Sequence, residues 1–154
     1  MSKTLVIDAN LIILLIVGLA DENLVSRHKR TRTYSVQDFR LLVSIVANYR
    51  EVVTLPNVLS EVSNLLSFEA DDHSRRILAT FIKFIETAEE RYIASGVGVT
   101  RSEFSRLGLS DSVILEAAKG DVHILTADLA LHLAALNAGY QSVNFTHLID
   151  AARA

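Results

Sequence analysis

Short apolar runs alternate along this chain with longer stretches of helical periodicity. The runs at 4–8, 51–55, 91–95, 122–126 and 141–145 are continuous rather than alternating, as strands are when both sheet faces are covered. Helical patterns fall near 10–20, 36–48, 56–68, 72–90, 101–107, 111–119, 128–138 and 146–153. Strands separated by helices predict βαβ units. The expectation is a single three-layer α/β domain with a central, mainly parallel five-stranded sheet flanked by helices. Punctuation agrees: Pro56 suits a first helical position, Asp71 an N-cap, Gly139 a helix stop, and Ser110 a cap for the helix that Asp111 begins.

A length of 154 residues suits one domain spanning 1–154. Residues 21–35, DENLVSRHKRTRTYS, break the pattern: polar, basic in the centre, and long for a connection in a compact domain. They are expected to form a surface loop or a mobile helical extension. With no cysteine, the chain has no disulfide, thiolate zinc site or cysteine nucleophile. The run LIILLIVGLA is too short to span a bilayer, and Asp8 and Asn10 interrupt any signal-peptide core. A cytoplasmic protein without membrane contact is expected. The net charge of −3 confines any nucleic-acid contact to a local patch.

Four acids lie at the edges of apolar segments: Asp8 after TLVI, Glu61 within VLSEVSNLL, Asp111 at the start of DSVILEAA, and Asp128 after HILTA. Carboxylates there resist burial, and a folded quartet would repel itself unless a hard cation held it. Asp8 and Asp128 follow the first and fourth strands, where doubly wound sheets place their ligands. Asp111 heads the face of Ile114, Leu115 and Ala118, whereas Glu116 points away and is expected to be solvated. Glu61 flanks the stripe of Val58, Val62, Leu65 and Leu66. Asn10 and Thr126 add an amide and a hydroxyl to support the acids. Oxygen ligands suit Mg²⁺ or Mn²⁺, and metal-assisted phosphate chemistry, on one or two ions, is the first hypothesis.

The runs VIDANLIILL, LPNVLSEVSNLL and GLSDSVILEAAKGDVHILTADLAL resemble, in order, the PIN-domain nucleases, especially the VapC-like toxins of toxin–antitoxin pairs. The resemblance implies that Asp8, Glu61, Asp111 and Asp128 are the catalytic metal ligands, with Thr126 and Asn10 in support. It also implies a metal-dependent endoribonuclease leaving a 3′-hydroxyl and a 5′-phosphate, with a cognate antitoxin and a homodimer as partners. Family members often carry a hydroxyl residue directly after the first Asp, where this chain has Ala9.

Arg27, His28, Lys29, Arg30 and Arg32, with Tyr34 nearby, form a basic cluster suited to tracking an RNA backbone and stacking a base. The five histidines show no ligand spacing, and His132 reads as packed or exposed rather than catalytic. The helices at 10–20 and 36–48 carry more apolar surface than one face needs, which a dimer, an antitoxin or core packing would cover. Two rival readings remain: a degenerate PIN fold that binds without cleaving, and phosphoaspartyl transfer. The second fits poorly, because a haloacid-dehalogenase-like site needs an Asp where Asn10 stands, and no lysine is well placed.

Overall fold

The structure, a computed structural model, describes residues 3–154. Its centre is a five-stranded, all-parallel sheet in the order β3-β2-β1-β4-β5. The strands are β1 (Thr4–Ile7), β2 (Glu51–Thr54), β3 (Glu89–Glu90), β4 (Val122–Thr126) and β5 (Ser142–Asn144). β1 is buried throughout, as its continuous apolar run requires between two helical layers. Thr4 pairs with Glu51 on one side and Val122 on the other, and Ile7 lies beside Leu125.

From β1 the chain steps outward to β2 and β3, then crosses back past β1 to β4 and β5. Right-handed crossovers therefore put α1 (Ala9–Ala20), α2 (Val36–Val46), α3 (Pro56–Leu66) and α4 (Asp72–Thr87) on one face. They put α5 (Ser95–Gly98), α6 (Phe104–Leu107), α7 (Leu109–Ala117) and α8 (Leu129–Asn137) on the other. The last helix, α9 (Phe145–Arg153), returns to pack on α2. The reversal of direction falls between β1 and β4, and a crevice opens at such a switch point beyond the strand ends.

Helix α1 is the heart of the core. Residues Leu11 to Gly18 are all buried, and the helix packs on α2, α3 and α4. Core packing therefore uses up the surplus apolar surface of this segment. On α2, Phe39 and Leu42 are buried and Leu41, Val43, Ile45 and Val46 pack half-buried against the core. Leu19, near the end of α1, is exposed; the other exposed large apolar side chains lie elsewhere, chiefly Leu78, Ile82 and Ile85 on α4 and Leu129, Leu133 and Leu136 on α8.

Several boundaries differ from expectation. The third strand is Glu89–Glu90, not 91–95. It is an edge strand paired on one side only, and short edges limit unwanted pairing. The expected helix at 101–107 is a single turn, α6, and the end of the expected third strand gives way to another single turn, α5, where Gly96 and Gly98 raise the entropic cost of a longer helix. Gly108, at φ +86°, is the N-cap of α7, so Ser110 lies in the first turn rather than capping it. Pro56, Asp71 and Gly139 stand where the sequence puts them: Asp71 accepts from the Ser74 N–H at 2.7 Å, and Gly139 has a φ of +80°.

The insert at 21–35 holds a 3-10 turn at Glu22–Leu24 followed by successive turns. It is folded onto the body: Leu24, Val25 and Thr31 are buried, and the Thr31 hydroxyl donates to the Val25 carbonyl at 2.7 Å.

Candidate functional site

Asp8 and Asp128 leave adjacent strands at the switch point. Asp8 is fixed on three sides. Its N–H donates to the Leu125 carbonyl, its Oδ1 accepts from the Ala9 N–H at 2.8 Å, and its Oδ2 accepts from the Thr126 hydroxyl at 2.8 Å. The Thr126 Oγ1 in turn accepts from the Asp128 N–H at 2.9 Å. One buried hydroxyl therefore ties the two acids together across β1 and β4. Asp128 caps α8, its Oδ1 accepting from the Ala130 and Leu131 N–H groups. Asp8 likewise caps α1.

Glu61 on α3 and Asp111 in the first turn of α7 approach from the flanking helices, which touch each other. Burial raises the Asp8 carboxyl above its ordinary value; the Thr126 and Ala9 hydrogen bonds oppose this, and the Asp128 charge adds to it. Burial also raises Glu61, reinforced by the Asp8 charge and opposed by the Ser110 hydroxyl. Asp111 is pushed to about 7, by burial first and then by the charges of Asp8, Asp128 and Glu61. Asp8, Glu61 and Asp111 thus each feel at least one other acid of the set. Among the described residues, none of the four makes an ion pair with a basic side chain.

Asp8, Asn10 and Asp128 line a cleft of about 480 Å³ together with Lys29, Arg30, Thr33, Tyr34 and Ala127. The insert thus supplies the cationic wall of an otherwise acidic cleft. Arg27 lines a different cavity, of about 300 Å³, between the insert and the α3–α4 junction, which Lys29 also borders. Arg32 is exposed and lines neither. Tyr34 lies against Phe145, with ring centroids 6.0 Å apart.

Among the described residues, no group of three or more His, Asp or Glu side chains is arranged to hold a metal ion. The donor chemistry still fits a hard divalent cation: four carboxylates, all oxygen, mutually repelling and unpaired. No family model and no curated protein matches the chain.

Two neighbours of the site behave differently from the sequence reading. Glu116 is not solvated; it pairs with Arg101 at 2.7 Å and with Lys119. Ser110 faces Glu61 rather than capping a helix. Its position directly before Asp111 was the available signal for that role. His132 is buried, its Nδ1 2.7 Å from the Ser142 hydroxyl, in a packing role away from the acids.

Proposed function

We propose that this protein is a PIN-like, divalent-metal-dependent endoribonuclease, the toxin of a toxin–antitoxin pair. The observation that carries this reading is the pair of Asp8 and Asp128 at the strand-order switch, lining a cleft walled by Lys29 and Arg30, with Glu61 and Asp111 near enough for the Asp8 charge to act on both. Mixed charge of that kind suits a polyanion cut beside bound cations.

Asp8, Glu61, Asp111 and Asp128 would hold Mg²⁺ or Mn²⁺, which when bound supplies an activated water and neutralises charge on the phosphate. Asp8 is oriented for this by Ala9 and Thr126, so its carboxylate needs little reorganisation. Asp128 commits Oδ1 to the α8 N-terminus and leaves Oδ2 for the cleft. Asn10 stands beside both acids at the cleft wall. Lys29 and Arg30 attract the phosphate backbone, and the Tyr34 ring offers a surface for a base. Asp111, near 7, holds or releases a proton at its carboxyl as the local charge changes.

Partners belong to the same proposal. On α8, Leu129, Leu133 and Leu136 are exposed at helical spacing, and Leu78, Ile82 and Ile85 are exposed on α4. A second copy of the chain or an antitoxin segment would cover such surfaces. One observation favours the second reading, a PIN-like binding protein without nuclease activity: Asp8 and Asp128 both serve as helix caps, a structural role sufficient in itself.

The test is cleavage of a mixed RNA pool by purified protein with Mn²⁺ or Mg²⁺, with EDTA, and with Asp8→Asn. Metal-dependent cutting that the variant loses is the expected result. A folded Asp8→Asn that still cuts overturns the metal-site assignment. A wild-type protein that neither cuts nor binds metal supports the binding-protein reading.

A further inference from the structure

Only a 3-10 turn and a chain of hydrogen-bonded turns order the insert, yet its tip brings two cations to the cleft wall. The residue before those cations shows how they are held. The His28 carbonyl accepts from the Thr31 N–H at 3.0 Å and the Arg32 N–H at 2.9 Å, and its own N–H donates to the Leu24 carbonyl at 2.8 Å. Its ring closes the tip: Nδ1 accepts from the Arg30 N–H at 3.1 Å. The Leu66 backbone, at the end of α3, lies beside the ring and favours its charged form. His28 and Leu66 border the same 300 Å³ cavity. The ring therefore spans from the backbone of Arg30 to the end of the helix that carries Glu61.

This geometry fixes the ring's chemistry. A nitrogen that accepts from a backbone N–H has no proton of its own, so the clasp requires neutral imidazole. A second proton would set Nδ1–H against the Arg30 N–H, donor against donor.

We propose that His28 is a positioning residue whose neutral ring clasps the tip of the insert, so that Lys29 and Arg30 wall the cleft, and whose protonation releases them. The clasp would make polyanion binding at the cleft sensitive to acid. As a role in substrate binding it rests on the ribonuclease reading; as a structural clasp it stands on its own contacts.

The charged surroundings agree in sign. Burial lowers the ring below the ordinary histidine value of 6.5; the Leu66 backbone opposes this, and Lys29 and Arg30 add to it. Arg27, His73, Glu69 and Asp71 share the cavity, two cations or potential cations against two acids. With its value depressed on folding, His28 holds the clasp above pH 6.5 and loses it as pH falls through the lower folded value.

Two readouts test the proposal. In amide NMR across pH 5 to 7.5, the Arg30 N–H should shift with the His28 ring and lose exchange protection on the acid side. Binding of a labelled RNA oligonucleotide in EDTA, where no cutting occurs, should weaken over the same range. His28→Ala should weaken it at pH 7.5 by on the order of fivefold, a hydrogen bond's worth. His28→Asn, whose amide oxygen replaces the Nδ1 acceptor, should restore binding and remove the pH dependence. An Arg30 amide indifferent to pH and to His28→Ala, in protein folded by circular dichroism, overturns the clasp. An Arg30 amide that responds while RNA binding does not move overturns the substrate role and leaves the structural contact standing. Failure of the wild type to cut RNA with any metal counts against the nuclease reading alone, because neither readout here depends on cleavage.

Discussion

At the scale of single residues, Asp111 carries the sharpest expectation. Its carboxyl is raised from 3.8 to about 7, so the folded protein binds a proton there that the unfolded chain has released. Stability from this group is fully present below pH 3.8 and is lost as pH rises through about 7. Melting temperature should therefore carry a component that falls between pH 4 and pH 7, and Asp111→Asn should flatten it. A pH profile identical in the variant would show that neither burial nor the neighbouring acids raise the Asp111 carboxyl. Thr126 carries a different lesson. A threonine two residues before an acid was visible as a helper, yet its double use, donating to Asp8 and accepting from Asp128, exists only once β1 and β4 lie side by side.

Among the elements, the meeting of α1 with α2 is the tightest contact the glycines reveal. A Cβ at Gly18 would be driven into the Phe39 ring. Gly18→Ala should cost about 1–3 kcal/mol in denaturant unfolding despite its better helix propensity, and Phe39→Leu should recover part of that loss. No loss in the single variant would mean that the two helices can part. The elements most legible in the sequence were those with a local cause: β1 from its unbroken apolar run, α3 from Pro56, α4 from Asp71, and the end of α8 from Gly139. The segment from 89 to 108 was not legible, because a two-residue edge strand and two single turns have almost no periodicity to show. The fold of the insert was hidden for a related reason. Its anchors, Leu24, Val25 and Thr31, are too few and too irregularly spaced to register as a pattern.

For the whole molecule, the same poorly patterned segment is held by one side chain. Arg101 pairs with Glu103 at 3.1 Å and Glu116 at 2.7 Å, and lies over the Tyr140 ring, 5.4 Å from its centroid. It thus joins the crossover from β3 to both α7 and the approach to β5. Arg101→Ala should destabilise the protein by on the order of 2 kcal/mol, since Glu103 loses its partner and Glu116 keeps only Lys119, both carboxylates retaining some contact with water. Unchanged thermal unfolding would mean that the turns hold without it. The quartet of acids was legible because each sits at the border of an apolar segment. That only Asp8 and Asp128 of the four line the cleft, opposite Lys29, Arg30 and Tyr34, was not, because the path of the insert shapes that cleft.

The pairing of Ile7 with Leu125 has one more consequence. Asp8 begins one residue beyond that pair and Asp128 three beyond it, so the frame that holds them is the spacing of neighbouring strands, close to 4.8 Å, with Thr126 at the end of β4 bonded to both. The two acids are marks on a ruler buried in the middle of the sheet. Loops may lengthen, the insert may open and the outer helices may fray without moving those marks. Heat should therefore spare this pair until the sheet itself gives way.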